Sequence, residues 1–573
     1  MDNEIPLGAR TRPYRFFEIV PAALSLGGFV VLGTLSVVAP VWAGVFVLVV
    51  VGYMFVKGVR LGVHAIRGSA NMRATMRVPW HQRLAELERA QRGGGLATGE
   101  SVEAHRIGEH LDNLRLISGA PDAYPNVGGL YNAVIVPAYN ESFDLIAPTM
   151  QSLIDTTFDN DRLIVVFAYE ARGGVEMQRT AERLERMYGH RFASFQLVQH
   201  PADQPGEVPG KGANITYAAR RLRDWLDLQG IGYDRVIVTS LDCDNRPHPA
   251  YFDLVTYEYV LRSDRKRLSF QPISIFTNNI WDAPAPSRVI ASGNSIWNIV
   301  SSLRPRALRN FASHAQPMDA LVEMDFWSTR TIVEDGHQYW RSWFHFDGDY
   351  RVVSVPVPIY QDVVLAETFW RTMKAQLSQL RRWAYGASDV PFVAVRVLSR
   401  RRRVRLGEGL FKLVQLLESH VTLSCVALII MCGPWVPLVV NGFDRNLPAF
   451  VVGLPFIVGT VQQFAMLLLI ISIWVSMTLL PARPERVAPI RTLFMVVQWV
   501  LFPVTTILFN ASSAIISQSQ LAIGKYREVF VVTEKFAVVP VAATATATAP
   551  ATGPIAVEDA LAGPTGAAER SAA

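Results

Sequence analysis

Cysteine is almost absent from this chain: three in 573 residues, Cys243, Cys425 and Cys432. One stands between two acids and two stand in an apolar run, so the sequence holds neither a disulfide framework nor a zinc-ligand spacing. Charge is scarce as well. Only 18% of residues are charged while 50% are hydrophobic, a balance that soluble chains rarely show and that predicts membrane spans. The net charge of +6 is modest, and arginines cluster at 399–405, just before an apolar block. That placement suits anionic lipid headgroups better than a nucleic acid, which is not expected as a partner. The Gly-x4-Gly-Lys-Ser/Thr spacing of a P-loop is also missing. A chain of this length should hold two or more parts.

What is there falls into blocks. Residues 1–60 carry two apolar runs, about 17–38 and 41–57, separated by Ala39-Pro40. Each is near the ~20 residues that cross a bilayer, so we expect a membrane hairpin, with a cleaved signal peptide as the alternative for the first run. Arg10, Arg12 and Arg15 before it, and Lys57, Arg60 and Arg67 after it, place both flanks in the cytoplasm. Residues 61–129 are polar and read as a connector near the membrane surface, without visible chemistry. Residues 130–395 alternate strand-like runs (131–137, 162–168, 235–240, 268–275, 351–357) with helical stretches (142–155, 176–189, 213–228). Alternation of that kind predicts βαβ units, a mostly parallel sheet and a ligand at its carboxyl edge. Residues 396–417 read as an interfacial amphipathic segment. Apolar runs at about 418–440, 449–480 and 492–516 predict three C-terminal spans, or four if the long middle run is a tight pair. Three would leave the tail 521–573 outside and four would return it, and Lys525, Arg527 and Lys535 favour the cytoplasm. From about 538 the tail is Ala/Thr/Pro-rich and is expected to be disordered.

The chemistry-bearing stretch is Arg235 to Asn245, a β-branched run ending in Asp242-Cys243-Asp244. Residues two apart on an extended strand point to one side, so the two carboxylates would repel unless a cation lay between them. Mg2+ takes one or two carboxylates plus substrate phosphates. Cys243 should then point the other way, into packing. A pair of acids in a plain turn is the competing reading. Four further motifs follow the same pattern, each with a bland alternative. Pro137-Ala138-Tyr139-Asn140-Glu141 and Tyr169-Glu170 end the first two strands, where a nucleotide base can sit or where a turn simply closes. Pro209-Gly210-Lys211-Gly212 opens a helix, as a diphosphate seat or as an ordinary loop. Glu334-Asp335 is a second acid pair, a general base or a solvated turn. Gln379, Arg382 and Trp383 share one helix face, to hold a sugar and a phosphate or to lie at a lipid interface.

Taken in order, Pro-Ala-Tyr-Asn-Glu, Gly-Lys-Gly, Asp-Cys-Asp, Glu-Asp and Gln-x-x-Arg-Trp resemble the membrane-embedded family-2 glycosyltransferases, the group of cellulose, hyaluronan and chitin synthases. The resemblance covers about 130–390. It implies an α/β GT-A (Rossmann-like) cytoplasmic domain flanked by transmembrane α-helices in the cell membrane. It also implies an inverting, metal-dependent transfer from a nucleotide sugar, with UDP expected. By position, Asp242 and Asp244 would hold Mg2+ (or Mn2+), Asp335 beside Glu334 would be the base, and Lys211 would approach the diphosphate. Tyr139, Glu141 and Glu170 would contact the donor, and Gln379, Arg382 and Trp383 the acceptor end and diphosphate. The late Phe530-Val531-Val532-Thr533-Glu534-Lys535 resembles that group's Phe-x-Val-Thr-x-Lys ending. Three stretches depart from the pattern: Tyr169-Glu170-Ala171-Arg172 replaces Asp-Asp-Gly-Ser, Val333 replaces a Thr, and His314 to Leu321 replaces a glycine-containing acceptor turn.

The expected activity is extension of a polysaccharide, with the growing glycan as acceptor, the bilayer and an accessory export subunit as partners, and coupled export. Two alternatives stand beside it: single-sugar transfer to a lipid carrier, and an inactive assembly subunit of a polysaccharide synthase. A transporter fits poorly, because the spans hold few buried charges.

Overall fold

The computed structural model describes residues 4–526, apart from Val102 and Arg445. Arg527, the Phe530–Lys535 motif and the tail from 538 lie outside the described residues. The centre is an eight-stranded sheet of order β3-β2-β1-β4-β7-β6-β8-β5. Its strands are β1 Tyr131–Ala138, β2 Leu163–Glu170, β3 Ser194–His200, β4 Val236–Ser240, β5 Arg246–Pro247, β6 Leu268–Phe276, β7 Ala315–Pro317 and β8 Arg351–Gln361. The block β3-β2-β1-β4 is parallel throughout, with Asn132 against Leu163 and Ile237 and Ile164 against Ser194. β7 then runs antiparallel to both β4 and β6, and β6 and β8 are parallel. This is the expected α/β Rossmann-like architecture.

Both faces of the parallel block are covered, which is why β2 and β4 are apolar and buried along their length. One face carries Ile146, Met150 and Leu153 from Phe143–Ile154, and Leu254 and Val255 from Tyr251–Val260. The other carries Ile215, Ala218, Ala219 and Leu222 from Lys211–Gln229. Cys243 is buried in the first of these layers, as the alternation of side chains required. Three strands lie outside the runs that the sequence marks: β3, β7 and the two-residue β5. β3 lies at the sheet edge and is polar at half its positions, so it lacks the apolar run that marks its neighbours. β7 has only three residues, too few for any periodic signal.

Among the described residues, five helices are long and apolar enough to cross a membrane: Arg12–Val38, Pro40–Met76, Leu406–Cys432, Leu454–Leu479 and Ile490–Ala522. The second runs well past residue 57. Its extension keeps a buried stripe of small residues, Gly62, Ala65, Gly68 and Ser69, continued by Met72, and Ala65 and Met72 pack against Ile296 and Ile299. The second half of the segment 396–417 forms the first turns of the helix Leu406–Cys432, in which Leu413 and Leu416 pack with Trp340 and Trp343. The middle run of the three expected after residue 417 is the 26-residue helix Leu454–Leu479, preceded by the short helix Ala449–Val452. The N-terminal arm straps the domain: Glu4 pairs with Arg341 at 2.9 Å and accepts from Ser328, and Ile5 is buried.

Candidate functional site

The carboxyl edge of the parallel strands gathers the acids and one lysine. Lys211 is the first residue of its helix. Asn214, one turn on, donates from Nδ2 to Ala168 O at 2.9 Å and Ala138 O at 3.4 Å, which ties the helix start to the ends of β2 and β1. Gly212 permits the next contact. A Cβ there would lie 2.4 Å from Ser328 O and 3.1 Å from Glu334 Cβ, so only glycine lets the helix start close against the loop that carries the second acid pair.

The result is a three-way clasp. Lys211 Nζ is 2.7 Å from Asp242 Oδ1, 2.7 Å from Asp335 Oδ2 and 3.4 Å from Glu334 Oε1. Burial alone would lower the lysine, but Asp242, Asp335 and Glu334 outweigh it and hold the amine charged. Glu334 goes the other way. Burial and the neighbouring Asp335 push its carboxyl up to about 8, against the opposing pull of Lys211. The guanidinium of Arg382 lies within electrostatic reach of Glu334, Asp242, Asp335 and Asp244; burial lowers it and those acids counter the effect. Asp244 is buried, and its Oδ2 accepts the Asp362 N–H at 3.3 Å.

With Glu334 neutral, Lys211 and Arg382 face three carboxylates, and a nucleotide diphosphate would add more negative charge. Asp242 and Asp244 offer hard carboxylate oxygens of the kind that could hold Mg2+ or Mn2+. Among the described residues, the group of three with metal-ligand geometry lies in the connector, where the sequence shows no chemistry: Glu86, Glu100 and His110 place ligand atoms within 4.8 Å of one another. Those atoms are already engaged. Arg83 grips both oxygens of Glu100 at 2.5 and 2.9 Å, and His110 bridges Glu86 at 2.8 Å and the Tyr257 hydroxyl at 2.9 Å. The three positions have no motif spacing, so only the folded helices reveal them.

The remaining expected residues divide. Glu170, Arg172, His200, Asp203, Glu207 and Ala213 line a cavity of about 220 Å3 beside the Lys211 helix. Glu170 is buried and ion-paired with Arg172, whose guanidinium also lies 5.0 Å from the Tyr139 ring centre. Gly173 makes that fold-back feasible, since a Cβ would fall 1.9 Å from Tyr139 O. Arg172 was read only as a departure from a pattern. Its role depends on two strand ends meeting, which no local spacing records. Glu141 turns away from this cavity's lining. Its Oε2 accepts the N–H groups of Tyr139 at 2.7 Å and Asn140 at 3.1 Å, so it braces its own turn. On the helix Phe369–Ala384, Gln379 is buried while Trp383 is 40% exposed, its ring 6.2 Å from Phe276.

The unmapped segment His314 to Leu321 is internal. It forms β7 and the start of the short helix Met318–Glu323. His314 is fully buried behind Asp335. Its Nδ1 bonds Phe311 O at 2.9 Å and lies 3.7 Å from Asp335 Oδ1, while its Nε2 accepts from the Trp327 indole at 3.2 Å. Burial holds this imidazole low, as neutral. His337, one turn beyond Glu334, bonds Asp389 at 2.6 Å and so couples the acid-bearing helix to the segment after Trp383.

No family model matches this chain, and no curated protein matches it. Among solved structures, it is similar to a mannosyltransferase from Pyrobaculum calidifontis in complex with GDP-Man and Mn2+. The identity is 14%, over 77% of this chain and 98% of that one, with a TM-score of 0.37. It is also similar to S. aureus TarS 1–349 in complex with UDP, at 12% identity over 69% and 93% of the two chains and a TM-score of 0.31. Likenesses this loose place the chain in no family.

Proposed function

We propose that this chain is an inverting, metal-dependent glycosyltransferase that extends a polysaccharide from a nucleotide-sugar donor at the cytoplasmic face of the cell membrane. The observation that carries the reading is the convergence of Lys211, Asp242, Glu334, Asp335 and Arg382 at the carboxyl edge of a parallel sheet. Such an edge is where open α/β sheets take their ligands. The 220 Å3 cavity next to it would take the nucleoside of a UDP-sugar, the expected donor, with Glu170 and Arg172 as its polar contacts. A bound divalent cation on Asp242 and Asp244 would offset charge that grows on the leaving diphosphate.

The chain's own groups do the rest. Lys211, released from Asp335, turns its ammonium to the diphosphate. Asp335 then takes the proton of the acceptor hydroxyl from the side opposite the leaving group, as inversion requires. Arg382 stays over the same charges, and the half-exposed Trp383 offers an apolar face to the acceptor sugar. Glu334, buried and neutral, keeps the lysine in reach without competing for the proton. Five apolar helices support a membrane-seated enzyme. With three of them after residue 400, transfer of a single sugar to a lipid carrier remains the second reading.

Membranes containing the chain, supplied with Mg2+ and a panel of radiolabelled nucleotide sugars, test both. High-molecular-weight product supports polysaccharide extension, and solvent-extractable label supports the lipid carrier. Absence of transfer from every donor would overturn both readings in favour of an inactive assembly subunit.

A further inference from the structure

We infer that the fifth apolar helix, Ile490–Ala522, does not cross the bilayer but lies along its catalytic-domain face, seated in lipid by one apolar side. The inference rests on the reading that the other four apolar helices lie in a membrane. Those four agree on two ends. Tyr14, Met72, Leu413 and Val475 each pack with residues of the catalytic domain, in clusters that include Trp340, Ile273 and Ile299. At the far end Leu32, Val47, Leu454 and Val458 form their own cluster, with Ile430 and Val436 against it.

The fifth helix does not join that far cluster. Its contacts with the catalytic domain run from end to end. Before it, Arg486 grips Asp282 at 2.5 and 3.0 Å. Met495 packs with Ile280 and Trp281, and Gln498 accepts from Arg288 at 2.6 Å. Trp499 joins Ile273 and Ile275 of β6. At the other end Ser517 donates to Arg381 O at 2.8 Å, and Leu521 packs with Ile332 and Tyr385. Arg15, at the start of the first helix, donates to Leu521 O at 2.8 Å. Its second half also packs beside the first and third helices: Thr506–Ala511 lies beside Thr422–Cys432, Ser512–Ala522 beside Thr422–Val426, and Gln518 accepts from Ser25 at 2.7 Å and donates to His420 O at 3.0 Å.

A straight helix of 33 residues is about 50 Å long, so a crossing helix that began beside Asp282 would end on the opposite side of a core about 30 Å thick. Residue 521 instead meets residue 15 on the side where the helix started. The residues facing away from the protein are apolar and recur at helical spacing: Leu493, Val497, Val500, Val504 and Leu508 are all exposed. Arg483 before the helix and Lys525 after it are exposed bases placed for anionic headgroups. That pattern fits acyl chains beneath a helix lying in the interface. Two bends, a 3-10 turn at Gln498–Leu501 and a π segment at Thr506–Ala511, let the helix follow the underside of the domain. Because Leu521 touches Ile332, two residues before Glu334, a helix held by lipid braces the acid pair directly.

The test uses the full chain in membrane vesicles of both orientations, with the exposed Cys432 replaced by Ser. Single cysteines at Glu176→Cys, Asp444→Cys and Lys525→Cys are labelled with a membrane-impermeant maleimide. We expect Lys525→Cys to label in the same vesicles as Glu176→Cys on the catalytic domain, and Asp444→Cys in the opposite ones. Labelling of Lys525→Cys together with Asp444→Cys would overturn the inference and make the helix a fifth span. Nitroxides at Ile490 and Ile523 give an independent reading: a membrane-impermeant relaxation agent that reaches both from one side supports the inference, and one that reaches them from opposite sides overturns it. Release of the whole chain by alkaline carbonate would overturn the membrane reading itself, a result distinct from either.

Discussion

Lys211 Nζ donates to Asp335 Oδ2 at 2.7 Å across 124 positions of chain, while holding Asp242 at the same distance. One ammonium therefore occupies the space between the acid proposed as base and an acid proposed as metal ligand. In the proposed mechanism, donor binding draws the lysine away before Asp335 accepts a proton.

Removing that cation leaves buried carboxylates without compensation. Lys211→Met is expected to lose about 3–5 kcal/mol of stability, the usual cost of breaking a buried ion pair from one side. Thermal unfolding in detergent reads it. Added Mg2+ should recover more of the loss in the variant than it adds to the wild type, because the space between Asp242 and Asp335 is then open to it. An unchanged melting midpoint would show that the clasp contributes nothing.

Asp335→Asn keeps the shape and removes the base. Transfer should fall about 10^2–10^4-fold, the usual worth of a general base, while the fold and donor binding persist. Full donor turnover in this variant would remove Asp335 from the role.

Glu334 offers a contrast on the next residue. Its carboxyl is pushed up to about 8 by burial and by Asp335, so at neutral pH it already holds its proton. Glu334→Gln should therefore match the wild type within about 1 kcal/mol below pH 4.5, as a near-isosteric change, and should be the more stable of the two at pH 7, where only the unfolded glutamate ionises. The sign follows from the raised value. The wild type's advantage is full below the ordinary 4.5 and is lost as pH rises through about 8. The variant should lack that decline when melting is followed from pH 5 to 9.

His248 works in the opposite direction. Burial lowers it to about 4, and its Nδ1 accepts the Ala250 N–H at 3.3 Å, which needs an unprotonated nitrogen. Its contribution is present above the ordinary 6.5 and is lost as pH falls toward about 4. At 1.36 kcal/mol per unit, that loss is at most about 3 kcal/mol. His248→Gln should flatten the acid limb of the melting curve, and an unaltered limb would contradict the assignment.

Trp383 is expected to matter for acceptor and not for fold. At 40% exposure its loss should alter stability by about 0.5 kcal/mol or less, as for most surface changes. Product length on a gel should shorten in Trp383→Ala while donor hydrolysis continues.

The sequence by itself determined the apolar strands β1, β2, β4, β6 and β8 and the apolar helices, because both follow from local composition, but not the polar edge strand β3 or the short β5 and β7. Val236 to Ser240 is β-branched and covered on both faces, and Arg12–Val38 is apolar over a membrane's length. It also marked Asp242, Asp244, Lys211, Asp335 and Arg382 as residues of interest. Only the tertiary structure decided how these meet. Lys211 reaches Asp335 because Gly212 lets two distant segments touch, and Glu141 folds onto its own turn because its carboxylate meets two N–H groups there. Arg172 gains a partner in Glu170 and a neighbour in Tyr139 only when β1 and β2 end side by side. The same holds for Ile490–Ala522. Its composition is that of a span, yet what faces lipid and what faces protein depends on where Asp282, Arg381 and Arg15 stand. Apolar content records how much surface leaves water, whereas direction in a bilayer depends on contacts made hundreds of residues apart.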